Sequence, residues 1–76
     1  MNQMTIVFNK PEEILDFVNK VSKFPFDMDL QRGRFIVDAK SLLGIMNMGI
    51  GNKIELKIYE ENCQELKEQI EQYRAA

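Results

Sequence analysis

The chain has 76 residues, 45% of them hydrophobic and 29% charged, an ordinary globular mix that argues against disorder. Lysine and arginine total 10 against 12 acidic residues, so the net charge is −2, and the chain is a poor candidate for wrapping nucleic acid or holding anionic lipid. With no histidine and one cysteine, these residues exclude a Ser-His-Asp triad, a His-ligated zinc site, phosphohistidine and an internal disulfide.

A chain this short buries about 60% of the surface its unfolded form exposes, so one small domain with a thin core is expected over residues 1–76. Met4 to Phe8 is apolar and β-branched and reads as a first strand. Asn9-Lys10-Pro11-Glu12-Glu13 reads as a helix start. Proline suits the first helical position, and the two glutamates oppose the positive end of the helix dipole. Ile14, Phe17, Val18 and Val21 then recur at the spacing of one buried helix face, and Pro25 closes the helix by about Lys23.

Asp27–Gln31 and Arg34–Asp38 flank Arg32-Gly33 and predict a hairpin with Gly33 in its turn. Ser41 to Gly49 is a short apolar run led by a capping serine, which predicts a helix of about two turns stopped by Gly49 and Gly51. Ile54, Leu56 and Ile58 alternate with Glu55, Lys57 and Tyr59, the pattern of a half-buried strand. Asn62 is expected to cap the last helix, whose apolar stripe is Cys63, Leu66, Ile70 and Tyr73. The order βαββαβα predicts an α+β fold with an antiparallel sheet covered by helices on one face and solvated on the other.

The start of the chain, Met1-Asn2-Gln3-Met4-Thr5, has no basic region followed by a long apolar run, so no signal peptide is read there. No apolar stretch approaches the roughly 20 residues that span a bilayer. A lone cysteine suits a reducing cytosol, and a cytoplasmic location without membrane contact is expected.

Three stretches, Ser22-Lys23-Phe24, Asp27-Met28-Asp29-Leu30 and above all Ala39-Lys40-Ser41-Leu42-Leu43-Gly44-Ile45-Met46-Asn47-Met48-Gly49-Ile50, resemble the HPr family, the small phosphocarriers of the bacterial sugar phosphotransferase system. HPr proteins carry a K-S-[IL]-[ML]-G-[VI]-[ML]-x-[LM]-G-[IV] run at their short middle helix, and this chain matches it nearly throughout. The resemblance implies an open-faced β-sandwich, with a four-stranded antiparallel sheet and helices on one face.

The chain departs from the family where the family does its chemistry. HPr carries its phosphoryl group on a histidine in a G-[IL]-H-x-R-P-A loop before the first helix. The equivalent stretch here is Phe8-Asn9-Lys10-Pro11-Glu12-Glu13. Counting back without a gap sets Lys10 in the histidine's place and Glu12 in the arginine's. Alternatively the loop is shortened and the histidine deleted. On either alignment Asn9, Lys10 and Glu12 form a degenerate active-site loop. Phosphoryl carriage needs a nitrogen nucleophile and cations around the phosphoryl oxygens. A lysine is protonated at neutral pH, and a glutamate repels the incoming dianion.

In many Gram-positive HPr proteins the serine of the middle-helix motif is phosphorylated by a dedicated kinase, and the product acts as a corepressor in carbon catabolite control. The resemblance implies Ser41 as candidate phosphoacceptor, and the local chemistry agrees, because a serine at a helix start faces backbone N–H groups. The plainer alternative is an N-cap alone. The run carries more apolar residues than a short helix buries on one side. With the family's docking habit, this implies a contact surface of Lys40, Leu42, Ile45, Met46 and Met48. The family also includes a homologue that lacks the histidine, keeps the serine and acts only in regulation.

Other candidates have ordinary explanations. Cys63 is a packing residue on an apolar stripe. Glu12 and Glu13 are first-turn charges, since adjacent helix positions do not face each other. The glycines form no phosphate-binding loop. The sequence therefore predicts an HPr-like protein that is not an enzyme, holds no cofactor or metal, and works through protein partners: a serine kinase, a transcriptional regulator or a phosphotransferase-system component. The alternative is a ligand-binding or assembly module that kept only the fold. A phosphotransferase component with a nucleophile other than histidine is the third class.

Overall fold

The computed structural model describes residues 2–75, and its elements follow the residue patterns closely. They are β1 (Asn2–Ile6), α1 (Pro11–Val21), β2 (Met28–Arg32), β3 (Phe35–Asp38), α2 (Leu42–Met46), β4 (Ile54–Ile58) and α3 (Gln64–Gln69), with a final 3-10 turn over Glu71–Tyr73. The four strands form one antiparallel sheet in the order β1-β4-β2-β3. β4 lies between β1, paired from Asn2–Ile58 to Ile6–Ile54, and β2, paired from Met28–Ile58 to Gln31–Glu55. This is the α+β, open-faced arrangement that the residue pattern and the resemblance both imply.

Alternation along each strand sorts the side chains. Met4, Ile6, Met28, Leu30, Ile54, Leu56 and Ile58 are buried under the helices, while Thr5, Asp29, Gln31, Glu55 and Lys57 lie on the other face. On that open face the Thr5 hydroxyl donates to the Glu55 carboxylate across the β1–β4 pair at 3.0 Å. Helix α1 contributes Ile14, Phe17 and Val21 to the core, and α3 contributes Leu66. All buried residues among those described are apolar apart from the hydroxyl of Tyr73 and the thiol of Cys63. The core thus needs few internal hydrogen bonds beyond those of the backbone.

Two local expectations are corrected. The first strand runs from Asn2 to Ile6 rather than Met4 to Phe8. Its ladder to β4 ends at Ile6–Ile54, and the chain then turns so that Phe8 enters the core edge-on to Phe17, with ring centroids 5.2 Å apart. The last helix is not capped by Asn62. Cys63 occupies the N-cap position without a side-chain hydrogen bond, and Asn62 is exposed. Burial of Cys63 on the same stripe as Leu66 and Ile70 sets where this helix begins.

The C-terminal segment closes the sheet at β1. Val7 N–H donates to the Tyr73 carbonyl at 2.9 Å and Ala75 N–H to the Thr5 carbonyl at 2.9 Å, with a bridge pairing Ile6 and Arg74. The same segment is tied to α1 through a side-chain cluster. The Tyr73 hydroxyl donates to the Asp16 carboxylate, Lys20 pairs with Asp16 at 3.0 Å, and the Lys20 ammonium stands 5.8 Å from the centre of the Tyr73 ring. The Tyr73 hydrogen bond, and then Lys20, hold the Asp16 carboxyl below its usual range. Burial, and then the Asp16 carboxylate, push the Tyr73 phenol up to about 12.

These shifts set the pH dependence of stability. The Tyr73 share is fully present below the unfolded value of 10.0 and is lost as pH rises through about 12. The Asp16 share is present above the unfolded value of 3.8 and is lost as pH falls through the lower folded value. Tyr73→Phe should lower stability at pH 7 by about 1 kcal/mol, because Asp16 keeps Lys20 but loses a hydrogen bond. It should also remove the phenol absorbance step near pH 12. Thermal unfolding and an alkaline absorbance titration check both, and a variant unchanged in both would disprove the tie.

Candidate partner-docking site

Ser41 begins α2 in the way its residue type favours. Its backbone is extended, and its Oγ accepts from Gly44 N–H at 3.2 Å. Ser41 N–H is itself held by the Asp38 carbonyl at 3.0 Å, so β3 leads directly into the cap. A Cβ on Gly44 would lie 3.1 Å from Ser41 Oγ and 3.2 Å from Val37 Cβ. The absence of that atom lets the short helix lie close against β3. After Met46 the chain leaves the helix through Gly49 and Gly51, both at positive φ, as needed where a side chain would be strained. Helix α2 is five residues long, shorter than the two turns that the apolar run suggests.

The structure divides the expected contact residues. Ile45 and Met48 are buried core residues and offer no surface. They stand three apart and form the inward stripe of this turn of chain, an i, i+3 signal present in the sequence. Leu42 and Met46 are exposed as expected. Leu43, a residue of the same apolar run outside the expected contact set, is the most exposed of the run at 74%. Ile50 after the helix, and Leu15 on the neighbouring α1, are also exposed.

Lys40 is turned away from a contact role. Its ammonium donates to the Phe24 carbonyl at 2.6 Å and its backbone N–H to Asp38 Oδ1 at 2.9 Å. It fastens the segment after α1 to the start of α2 and does not stand free beside Ser41.

The loop before α1 is closed by the chain itself. Lys10 holds the N-cap position in extended conformation with no side-chain cap, and Pro11 follows it. Glu13 fills the gap. Its Oε1 accepts from Asn9 N–H at 2.7 Å, and its own N–H donates to the Lys10 carbonyl at 3.1 Å. Asn9, Lys10 and Glu12 are exposed around it. A carboxylate therefore already sits where the first turn of the helix would favour an anion, with Glu12 beside it. Two carboxylates at this end disfavour an incoming phosphoryl group by like-charge repulsion.

A groove of about 330 Å³ runs between β3 and α2, lined by Arg32, Phe35, Val37, Gly44, Asn47 and Met48. Arg32 Nη1 donates to the Met48 carbonyl at 2.8 Å and braces the end of α2 against β2. Among the described residues no cluster of three or more His, Cys, Asp or Glu side chains is placed to hold a metal ion. None of their helices is long and apolar enough to cross a membrane.

Comparison with known proteins identifies the pattern. The family model described as the PTS HPr component phosphorylation site matches residues 14–75. The match begins within α1, past the Asn9–Glu13 stretch. Among solved structures, HPr-C-His from Thermoanaerobacter tengcongensis is 26% identical at a TM-score of 0.78, over 95% of this chain and 89% of its own. Phosphocarrier protein HPr from Bacillus anthracis is 23% identical at 0.71, over 97% and 96%. The Bacillus subtilis catabolite repression protein Crh is 22% identical at 0.66, over 93% and 88%. A comparison with curated proteins finds no match.

Ser41→Ala removes the Oγ that accepts from Gly44 N–H. It should lower stability by about 1 kcal/mol, a fall in melting temperature of roughly 4–8 °C for a domain of this size. Calorimetry reads the difference, and an unchanged melting temperature would show that the cap contributes nothing.

Proposed function

The chain belongs to the HPr family of the bacterial sugar phosphotransferase system, and from that premise we propose that it is a regulatory docking member rather than a phosphohistidine carrier. In this reading residues 1–76 act as one cytoplasmic domain, catalyse no reaction and hold no cofactor. They work through contact with protein partners: a serine kinase, a transcriptional regulator or another phosphotransferase-system component. The observation that carries the reading is the exposure of Leu42, Leu43 and Met46 on α2, within about one and a half turns of half-buried Ser41. Three large apolar side chains on one short helix are a surface that a partner can desolvate.

Two further observations support it. The chain contains no histidine. The loop that would present one carries Asn9, Lys10 and Glu12 and is closed by the Glu13 carboxylate. Ser41 is the proposed phosphoacceptor. Its Oγ would attack the γ-phosphorus of ATP on the kinase, releasing ADP, while the hydroxyl proton leaves to the kinase's base. The cap uses a lone pair of Oγ, so the hydroxyl proton is not tied up by Gly44. Phosphate at Ser41 would add charge at the edge of the apolar patch and change which partner fits. Similarity to Crh, a catabolite repression protein, supports a regulatory role.

The groove between β3 and α2 favours the second reading, a ligand-binding module that kept only the fold. Its volume lies at the lower end of the range for small-molecule sites.

The test is incubation with an HPr serine kinase and ATP, read by intact mass. One phosphate on the native chain, and none on Ser41→Ala, is the expected result. Leu43→Asp, at an exposed position, should keep the fold and lower the kinase's kcat/KM about tenfold or more. A folded chain that takes no phosphate would refute the phosphoacceptor role. Equal kcat/KM for the two chains would refute docking through α2.

A further inference from the structure

The two edges of the sheet differ. At β1 the segment Tyr73–Ala75 pairs with Thr5, Ile6 and Val7 and covers the edge. At β3 nothing among the described residues pairs with the outer side, and Phe35 and Ile36 are 71% and 59% exposed. Open edges are sites of strand addition.

The ladder fixes which groups point outward. Ala39 N–H donates back to the Met28 carbonyl, so by antiparallel alternation Val37 and Phe35 also face β2. Ile36 and Asp38 therefore turn their backbone N–H groups outward. The Asp38 carbonyl is held by Ser41 N–H, and the Ile36 N–H and C=O remain open. A turn over Gly33, at φ 59, and Arg34 leads into the strand at Phe35.

We propose that β3 pairs with β3 of a second copy of this chain, antiparallel about a two-fold axis at Ile36. That register matches Ile36 with itself through its two outward backbone groups. It also brings Arg34, the turn residue just before the strand, beside Asp38 of the second copy, twice by symmetry, and sets Phe35 opposite Val37 of the second copy. Three observations favour a second copy over a foreign strand. The edge is self-complementary in charge. Asp38 already faces Asp29 across the β2–β3 pair, a like-charge opposition that an arginine from outside relieves, while Asp29 has Lys57 on its other side. Phe35, on the same side of β3 as Val37, lines the mouth of the groove and would find apolar surface in Val37 of the second copy. The strand is four residues long, so the buried area is small and the dimer weak, with Kd on the order of 0.1 mM.

Sedimentation equilibrium from micromolar to millimolar protein tests this, with circular dichroism confirming the fold of each variant. The native chain should show a reversible monomer–dimer equilibrium. Arg34→Glu should raise Kd about tenfold or more, and the double exchange Arg34→Glu with Asp38→Arg should recover most of that loss. Ile36→Pro removes an outward N–H without breaking a ladder bond and should leave a folded monomer. A native chain monomeric at millimolar concentration would overturn the proposal and leave the edge to a foreign strand or to none. So would a dimer that survives Ile36→Pro, or a folded double exchange that binds no better than Arg34→Glu.

Discussion

The fold depends on β4, the last strand in the chain, inserting between β1 and β2. Without Ile54–Ile58 the N-terminal strand keeps only its short pairing with the Tyr73–Ala75 segment, and the β2–β3 hairpin stands alone. A two-stranded hairpin is marginal in water. Ile54, Leu56 and Ile58 are all buried, each removing an aliphatic side chain worth about 1.5–3 kcal/mol from water. With Met4, Ile6, Met28 and Leu30 beside them they make one continuous apolar face, and α1 and α3 are held by covering it.

That face also decides what α2 can do. The short helix is not needed to cover the centre of the sheet. It is anchored at its margin by Ile45 and Met48, by the Lys40 contact to Phe24 and by the Arg32 contact to Met48. Gly44 brings it close to Val37, so the rest of its surface turns outward. A helix of five residues has little stability of its own. Its exposed apolar side chains are therefore held in place by its neighbours rather than by the helix itself.

The loop before α1 shows the opposite use of a helix end. Where a helix N-terminus offers free N–H groups and positive potential, this chain supplies Pro11, which has no N–H, and Glu13, which folds back to Asn9. The local demand for negative charge is met internally. The cluster of Asp16, Lys20 and Tyr73 then fixes the other face of the same helix to the C-terminal segment. Helix α1 is thus held at its start and along its length.

Much of this was legible in the residues. Ile54–Ile58, the α1 stripe of Ile14, Phe17 and Val21, the Ser41 cap and the Gly33 turn each follow from local rules of period, capping and turn geometry. The middle-helix motif pointed to the family. Other features needed the tertiary structure because they rest on groups distant in sequence. The ladder to β4 and the C-terminal segment set where β1 ends, and burial of Cys63 displaced the cap expected at Asn62. Whether Leu43 or Ile45 faces water depends on how α2 rolls against β3, which Gly44 and Val37 decide. The reach of Lys40 to Phe24, and the open outer side of β3, belong to the same class. The sequence by itself determined the elements, the family and the lack of a histidine, because propensity and motif are local. Only the tertiary structure decided which apolar residues remain exposed and which edge stays open, because those are set by what packs on the far side.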